Sequence, residues 1–321
     1  MPDIYRPVLL QVKQAMVPGP LFATQPESTH NEHMPADIAG LSGEALPPGR
    51  YAVTDRGSYD FGKLPCKEEE FRRLEEQALF FWSREKMLLS DSGLTESMRV
   101  LDIGCGQGIV ADRIARELVP RGQVVGIEPD SSLRSMAEAL AAQNQRLTVM
   151  PGDIYNLEQP DESFDFVYAR LVFQHLKAPV EALREIHRVL KPGGIALIPD
   201  VDNGWLTLYP EPPGFSDMLR LAEKAQTSYG GDRFVGRKLA GYMGEAGFVN
   251  VATPVEVLTS ARIGLDLFLK IITCFKILLL MRHNDKVEED FFERICRFAR
   301  EHNSHGWVGI FCARGVKNGG Q

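Results

Sequence analysis

The sequence predicts an α/β chain built on a doubly wound, mostly parallel sheet, and three observations lead there. Residues 100–108 (VLDIGCGQG) form an apolar strand that runs into glycines at alternate positions, Gly104, Gly106 and Gly108. The next apolar strand, residues 124–127 (VVGI), ends in Glu128, about twenty residues on, where doubly wound folds place an acid that takes ribose hydroxyls. Strand-like and helix-like apolar periods then alternate, which puts a ligand at the carboxyl ends of parallel strands. Glycines this dense let the backbone approach a ligand more closely than any Cβ would allow. A dinucleotide fingerprint needs its third glycine three positions after the second; here Gly108 comes two after Gly106 and position 109 is Ile109. The spacing favours a nucleoside ligand without a pyrophosphate.

The elements read in order as follows. Residues 1–55 carry Pro18, Pro20, Pro26, Pro35, Pro47 and Pro48 among Ser, Thr, Asn and Gly, the composition of a loosely ordered arm. Residues 4–17 are a candidate short helix, suited to an oligomer contact or to covering the pocket. Over residues 67–89, Phe71, Leu74, Ala78 and Phe81 recur at helical spacing, predicting a helix packed beside the first strand. Val110, Ile114 and Leu118 form a helical stripe after the glycine turn, and Leu133, Met136, Ala137 and Leu140 another after Glu128, with Asp130 or Ser131 as N-cap. Strands follow at residues 147–150 and 163–167. A helix over 180–190 stops at Lys191-Pro192-Gly193-Gly194, where proline cannot continue it and glycine can take a left-handed cap. The next strand spans 195–200.

Beyond residue 200 the periodicity loosens. A helix is expected over 236–246, capped by Gly247, with strands at 250–256 and 307–315. Residues 201–232 and 260–302 are candidates for a substrate lid. The apolar run 265–281 is interrupted by Lys270 and Lys276, too short and too charged for a membrane span. A helix apolar nearly all round belongs in a core or subunit interface, or walls an apolar pocket; the two readings are compatible.

Composition narrows the classes. With 321 residues, 44% of them hydrophobic, the chain can bury an ordinary globular core. A formal charge of −7 and no clustered Lys/Arg stripe argue against a nucleic-acid partner. Five scattered cysteines, Cys66, Cys105, Cys274, Cys296 and Cys312, include no Cys-x-x-Cys pair, so neither disulfides nor a zinc or other metal site is expected. With no secretory signal at the amino terminus, the expected compartment is the reducing cytoplasm.

At this point the chain resembles the class I S-adenosylmethionine-dependent methyltransferases. Residues 100–108 look like the first motif and Glu128-Pro129-Asp130 like the ribose motif; Gly152-Asp153-Ile154 stands where the family's acid accepts the adenine amino group. Residues 163–167 look like the fourth strand and 190–194 like the turn before the fifth. The resemblance implies a Rossmann-like seven-stranded sheet with a helical amino-terminal extension and carboxyl-terminal lid insertions, divided at 1–55, 56–200 and 201–321. It implies S-adenosylmethionine as cofactor, held by Asp102, Gly104, Cys105, Gly106, Gly108, Glu128, Pro129, Asp153 and Ile154. By the same resemblance, backbone carbonyls of Ala169 and Arg170 would meet the methionyl ammonium, and Tyr59 and Gln77 the carboxylate end. The family's Asn/Asp-Pro-Pro-Tyr signature for planar amines is absent, the sequence reading Val167-Tyr168-Ala169-Arg170.

For the acceptor, His175 lies just beyond the fourth strand and suits a general base or an anion-positioning group, or equally a histidine packed at the pocket edge. His187 reads as structural, and His30, His33, His283, His302 and His305 receive no role. Trp205, Tyr209 and Phe215 either shape an aromatic pocket or pack ordinary loops. The expected function is methyl transfer to oxygen or carbon of a small, fairly apolar molecule of natural-product or quinone-like type. Two alternatives stay open: a cyclisation or rearrangement steered by the bound cation, and a non-catalytic binding module. The expected partner is a small-molecule substrate, and the apolar helix with the long extension also suits a homo-oligomer.

Overall fold

The computed structural model describes residues 57–59, 61–64, 67–283 and 290–319. The expectations for residues 1–55, including the helix over 4–17, and those for Cys66, His30 and His33 lie outside the described residues.

Helix α1 (Lys67–Asp91) leads to β1 (Arg99–Ile103), the short α2 (Ile109–Arg113) and β2 (Gln123–Ile127). Then come α3 (Ser131–Ala141), β3 (Leu147–Met150), β4 (Phe164–Tyr168) and α4 (Pro179–Val189). The strand β5 (Leu190–Tyr209) is followed by α5 (Phe215–Ser228), α6 (Leu239–Glu245), β6 (Phe248–Ala252) and β7 (Val255–Thr259). The chain finishes with α7 (Ser260–Ile263), α8 (Leu265–Arg282), α9 (Phe291–Glu301) and β8 (His305–Lys317).

Seven strands run side by side in the order β3-β2-β1-β4-β5-β8-β6. The first five are parallel, and β8 is antiparallel to its neighbours. An eighth, β7, is an addition to the expected seven and pairs with β8 from Val255↔Phe311 to Thr259↔Trp307. The strand expected at 250–256 is thus two strands, broken at Thr253-Pro254. Pro254 has no N–H to give to the ladder, and only its carbonyl pairs, accepting from Cys312 N at 2.9 Å.

Alternation across the sheet builds two apolar layers. Val100, Val124, Phe166 and Leu197 join Ala78, Trp82 and Leu89 of α1 and Val110 and Ile114 on one face. Leu101, Val125, Val167 and Ile198 join α4 and α6 on the other. Burial on both faces is why these strands are apolar runs; each fully buried Leu, Ile or Val contributes about 1.5–3 kcal/mol. The stripe expected to face the first strand is corrected here. Phe71, Leu74 and Phe81 turn away from the sheet toward the helical cap, and Ala78, Trp82 and Leu89 make the sheet contact. Met136 also departs from expectation and stays exposed, while Leu133 and Ala137 are buried.

Helix ends follow local chemistry. Asp130 caps α3, accepting from Ser132 N at 2.8 Å and Leu133 N at 3.1 Å, worth about 1 kcal/mol. Helix α4 begins with Pro179 in its first turn but does not end on a glycine: Leu190 turns extended and enters the sheet directly, with a register shift between Phe164 and Phe166 absorbing the Lys191–Gly194 segment. Gly247 follows α6 with φ +92, the expected stop. The strand expected over 195–200 runs on to Tyr209 because Leu206 and Leu208 alternate with exposed Trp205 and Tyr209, a period of two that suits one covered face.

Over that extension lies the cap. Helices α5, α8 and α9 share one cluster, in which Phe215, Met218, Ile272, Leu278, Phe292 and Ile295 meet Leu206 and Leu208. The apolar α8 is buried here and also contributes Ile271, Ile272, Phe275 and Lys276 to a cavity wall, so both readings of it are realised. Among the described residues no helix is long and apolar enough to cross a membrane.

Candidate functional site

A cavity of about 770 Å³ opens at the carboxyl ends of β1, β2, β4 and β5, between the sheet and the cap. Its first end is made by backbone. At the end of β1 the chain folds onto β2, with Gly104 N and Cys105 N both donating to Ile127 O at 2.8 and 3.1 Å. This brings Gly106 beside Glu128. Glu128 Oε2 accepts from Gly106 N and Oε1 from Asp130 N, each at 2.9 Å. Each oxygen of a carboxylate can accept twice, so the group keeps capacity toward the cavity that it lines. Gly106 has φ +58, and a Cβ built there would meet no atom within 4 Å; its open side is the cavity itself.

Burial pushes the Glu128 carboxyl up to about 7, against the two backbone donors that pull it down. Asp102, 4% exposed, is pushed up to about 8, chiefly by burial and countered by the Arg170 guanidinium. With its carboxyl at about 8, Asp102 favours the protonated form at neutral pH and can donate. Arg170 Nε lies 3.3 Å from Glu85 Oε1, and Tyr168 OH donates to the same carboxylate. Asp153 sits in a tight turn, its Oδ1 accepting from Tyr155 N at 3.0 Å, with Ile154 beside it in the lining.

The opposite end is made by side chains. The segment at Ser58 lies against the single helical turn Phe173–His175: Ser58 N donates to His175 O at 3.1 Å, and Ser58 Oγ and His175 Nδ1 lie 2.8 Å apart. Tyr59 stacks on Phe275 with ring centroids 5.6 Å apart and donates to Glu70 Oε1 at 3.0 Å; burial and the Glu70 charge raise its phenol well above the usual range. Glu70 also accepts twice from Arg73 at 2.7 Å, and Arg73 Nη1 reaches Gln77 Oε1 at 3.3 Å. The guanidinium of Arg233 lies 5.1 Å from the Phe275 ring centre.

Of the predicted positions, Tyr59, Gln77, Asp102, Gly104, Cys105, Gly106, Glu128, Pro129, Asp153, Ile154, Arg170 and His175 all line this one cavity. Two, Gly108 and Ala169, are not part of its lining. Gly108 is buried behind the turn as the left-handed N-cap of α2 with φ +78; a Cβ there would fall 2.7 Å from Ala137 Cβ and 2.9 Å from Ala137 Cα, so this glycine serves helix packing. Ala169 is fully buried, with its N–H on Leu197 O at 3.2 Å, between the lining residues Tyr168 and Arg170.

Of the two readings of Trp205, Tyr209 and Phe215, a place in the cavity wall is not the one seen. The first two are exposed and Phe215 is locked in the cap cluster; Phe80, Phe81 and Phe275 line the cavity instead. His187 packs edge-on against Phe248 at 5.1 Å, in agreement with a structural role.

Sequence reasoning missed Glu85, Arg73, Arg233, Gln174 and Lys276, which all line the cavity. The available signal was Lys276 inside an otherwise apolar helix, since a lysine there needs a cavity or a partner.

Comparison with known proteins agrees with this geometry. Residues 101–198 match the methyltransferase domain family model. An uncharacterized methyltransferase of Schizosaccharomyces pombe is 33% identical over 159 residues, 47% of this chain and 56% of that protein. A demethylmenaquinone methyltransferase of Staphylococcus aureus is 28% identical over 136 residues, 42% of this chain and 54% of that protein. The chain spans about half the length of the curated relatives it matches. A Haemonchus contortus phosphoethanolamine N-methyltransferase 2, solved with phosphomonomethylethanolamine and S-adenosylhomocysteine, superposes with a TM-score of 0.50 at 22% identity, covering 74% of this chain and 53% of that one. That likeness bears on the fold alone.

Proposed function

We propose that this chain, which carries a methyltransferase domain of the class I S-adenosylmethionine-dependent family, transfers a methyl group from that cofactor to oxygen or carbon of a small, largely apolar acceptor. The observation that carries the reading is the Glu128 carboxylate, fixed by Gly106 N and Asp130 N with accepting capacity left toward the cavity. A ribose diol would complete that capacity, and the open side of Gly106 leaves room for the sugar. The bound cofactor supplies an electrophilic methyl on a sulfonium, a good leaving group.

The protein's task is then positioning and exclusion of water. Asp153 and the Ile154 backbone would hold the adenine edge. Asp102, Arg170, Tyr59 and Gln77 would surround the amino-acid end. Phe275, stacked on Tyr59, continues with Leu206, Leu258, Ile271 and Ile272 into an apolar bed for the acceptor, the property that favours a natural-product or quinone-like molecule, as does the named activity of the S. aureus relative. His175, in the cavity lining beside Ser58 Oγ, would accept a proton from an acceptor hydroxyl or activated carbon, a contribution of about 10²–10⁴ in rate.

The test is incubation with methyl-labelled cofactor and a metabolite extract, read by mass. A small-molecule product heavier by one labelled methyl is expected. Cofactor binding with no transfer would overturn the reading, and a product of unchanged composition would redirect it to rearrangement chemistry.

A further inference from the structure

The cap end of the cavity holds more positive charge than it neutralises. Arg73, Arg233 and Lys276 are each more than nine-tenths buried and all line the cavity around the Phe275 ring, with Arg73 6.0 Å and Arg233 5.1 Å from its centre. Arg73 is answered by the Glu70 carboxylate. The other two are not. Arg233 donates through Nη1 to a neutral amide, Gln174 Oε1 at 2.8 Å, while its Nε and Nη2 have no hydrogen-bond partner. Lys276 Nζ donates to the Ile272 carbonyl at 2.6 Å.

The nearest acids are committed elsewhere. Asp200 accepts from Gln174 N and Val201 N at 3.0 and 2.8 Å, and Glu223 accepts from Asn203 Nδ2 at 2.9 Å. Neither reaches Arg233 or Lys276 within ion-pair distance among the described residues. Burial first, and the Arg233 charge second, drive the Lys276 amine well below its usual range, so an anion seated beside it would favour its protonated form. Taking such groups out of water is costly unless a counter-charge completes them.

Resting on the methyltransferase reading, we propose that this end of the cavity binds an anionic group of the acceptor, a carboxylate or a phosphate, between Arg233 and Lys276. The acceptor class becomes an apolar or aromatic acid whose charged end anchors against Phe275 and whose body lies across His175. The location supports acceptor rather than cofactor. Gln174 joins Arg233 to the Asp200 region of β5, three strands from the β2 end that holds Glu128, about 14 Å at ordinary strand spacing.

Calorimetric titration of the full chain with benzoate, phenyl phosphate and the neutral benzamide, with and without saturating S-adenosylhomocysteine, tests this. At least one anion is expected to bind about 30-fold or more tighter than benzamide, and Arg233→Gln should abolish that preference. S-adenosylhomocysteine affinity should change no more than about twofold, as befits a site away from the cofactor. Lys276→Met is the second variant should Arg233→Gln fail to fold, with the same loss expected. The two anions separate carboxylate from phosphate recognition. No preference for either anion, or a loss confined to S-adenosylhomocysteine binding in Arg233→Gln, would overturn the subsite, the latter by assigning the guanidinium to the cofactor's own carboxylate. Anion binding in a protein that ignores S-adenosylhomocysteine would keep the subsite and refute the cofactor reading.

Discussion

The two ends of the cavity are built by opposite means. At the glycine turn, residues 102 to 154 suffice, and the acids Glu128, Asp130 and Asp153 are each held by backbone N–H groups. At the cap, Tyr59, Arg73, His175, Arg233 and Phe275 arrive from five separate stretches of chain, and their polar contacts run between side chains. A backbone-built end tolerates only the residues whose geometry makes it. A side-chain-built end can be altered without changing the sheet, which suits a region that must fit a particular acceptor.

The largest test of this contrast is Gly108→Leu. Its side chain would run into Ala137 backbone at a residue with φ +78, so a loss of about 4 kcal/mol or more is expected, read as a lowered Tm with cofactor-site binding gone. Retained stability would show that α2 and α3 separate easily and that the glycine end is not rigid. Glu128→Ala comes next: loss of a carboxylate that organises two N–H groups should weaken S-adenosylhomocysteine about 100-fold by calorimetry. Anion binding at the cap should persist.

Acidity gives a third, smaller effect. With the Glu128 carboxyl raised to about 7, the folded protein holds this proton more tightly than the unfolded chain. The group's stabilising contribution is full below the unfolded carboxylate range and is lost as pH rises through about 7. Ligand affinity runs the other way, since ribose hydroxyls donate to the ionised form. S-adenosylhomocysteine should therefore weaken roughly tenfold per pH unit below about 7, Asp102 remaining protonated across that window, and Glu128→Gln should flatten the profile. A wild-type affinity unchanged from pH 5.5 to 8 would count against an ionised Glu128 as the ribose acceptor.

The smallest effect is expected where α1 meets β7 at the rim. Arg84 and Glu256 pair at 2.6 Å but are substantially exposed, so Arg84→Ala should cost no more than about 0.5 kcal/mol and less at high salt. A larger loss in chemical denaturation would mean that the rim ties cap to sheet more firmly than its exposure implies.

The same contrast explains what could be read from the sequence. The glycine turn, Glu128 and the Asp130 cap are local, because strand period and turn chemistry act over a few residues. At Gly108, spacing alone cannot tell a ligand-facing glycine from one pressed on a helix. The cap's Arg73 and Arg233 were illegible because their burial depends on which distant helix covers them. The split of 250–256 at Pro254 was readable in principle from proline's missing N–H. The run of β5 to Tyr209 was also written in the alternation of Leu206 and Leu208.

Helix α1 belongs to one apolar layer of the sheet and also to the cap cluster, giving Ala78, Trp82 and Leu89 to the first and Phe71, Leu74 and Phe81 to the second. A shared beam of this kind couples the melting of both regions, so they should unfold cooperatively instead of in sequence. Occupancy of the glycine turn would then slow amide hydrogen exchange in Leu265–Arg282, a helix that contributes nothing to that turn.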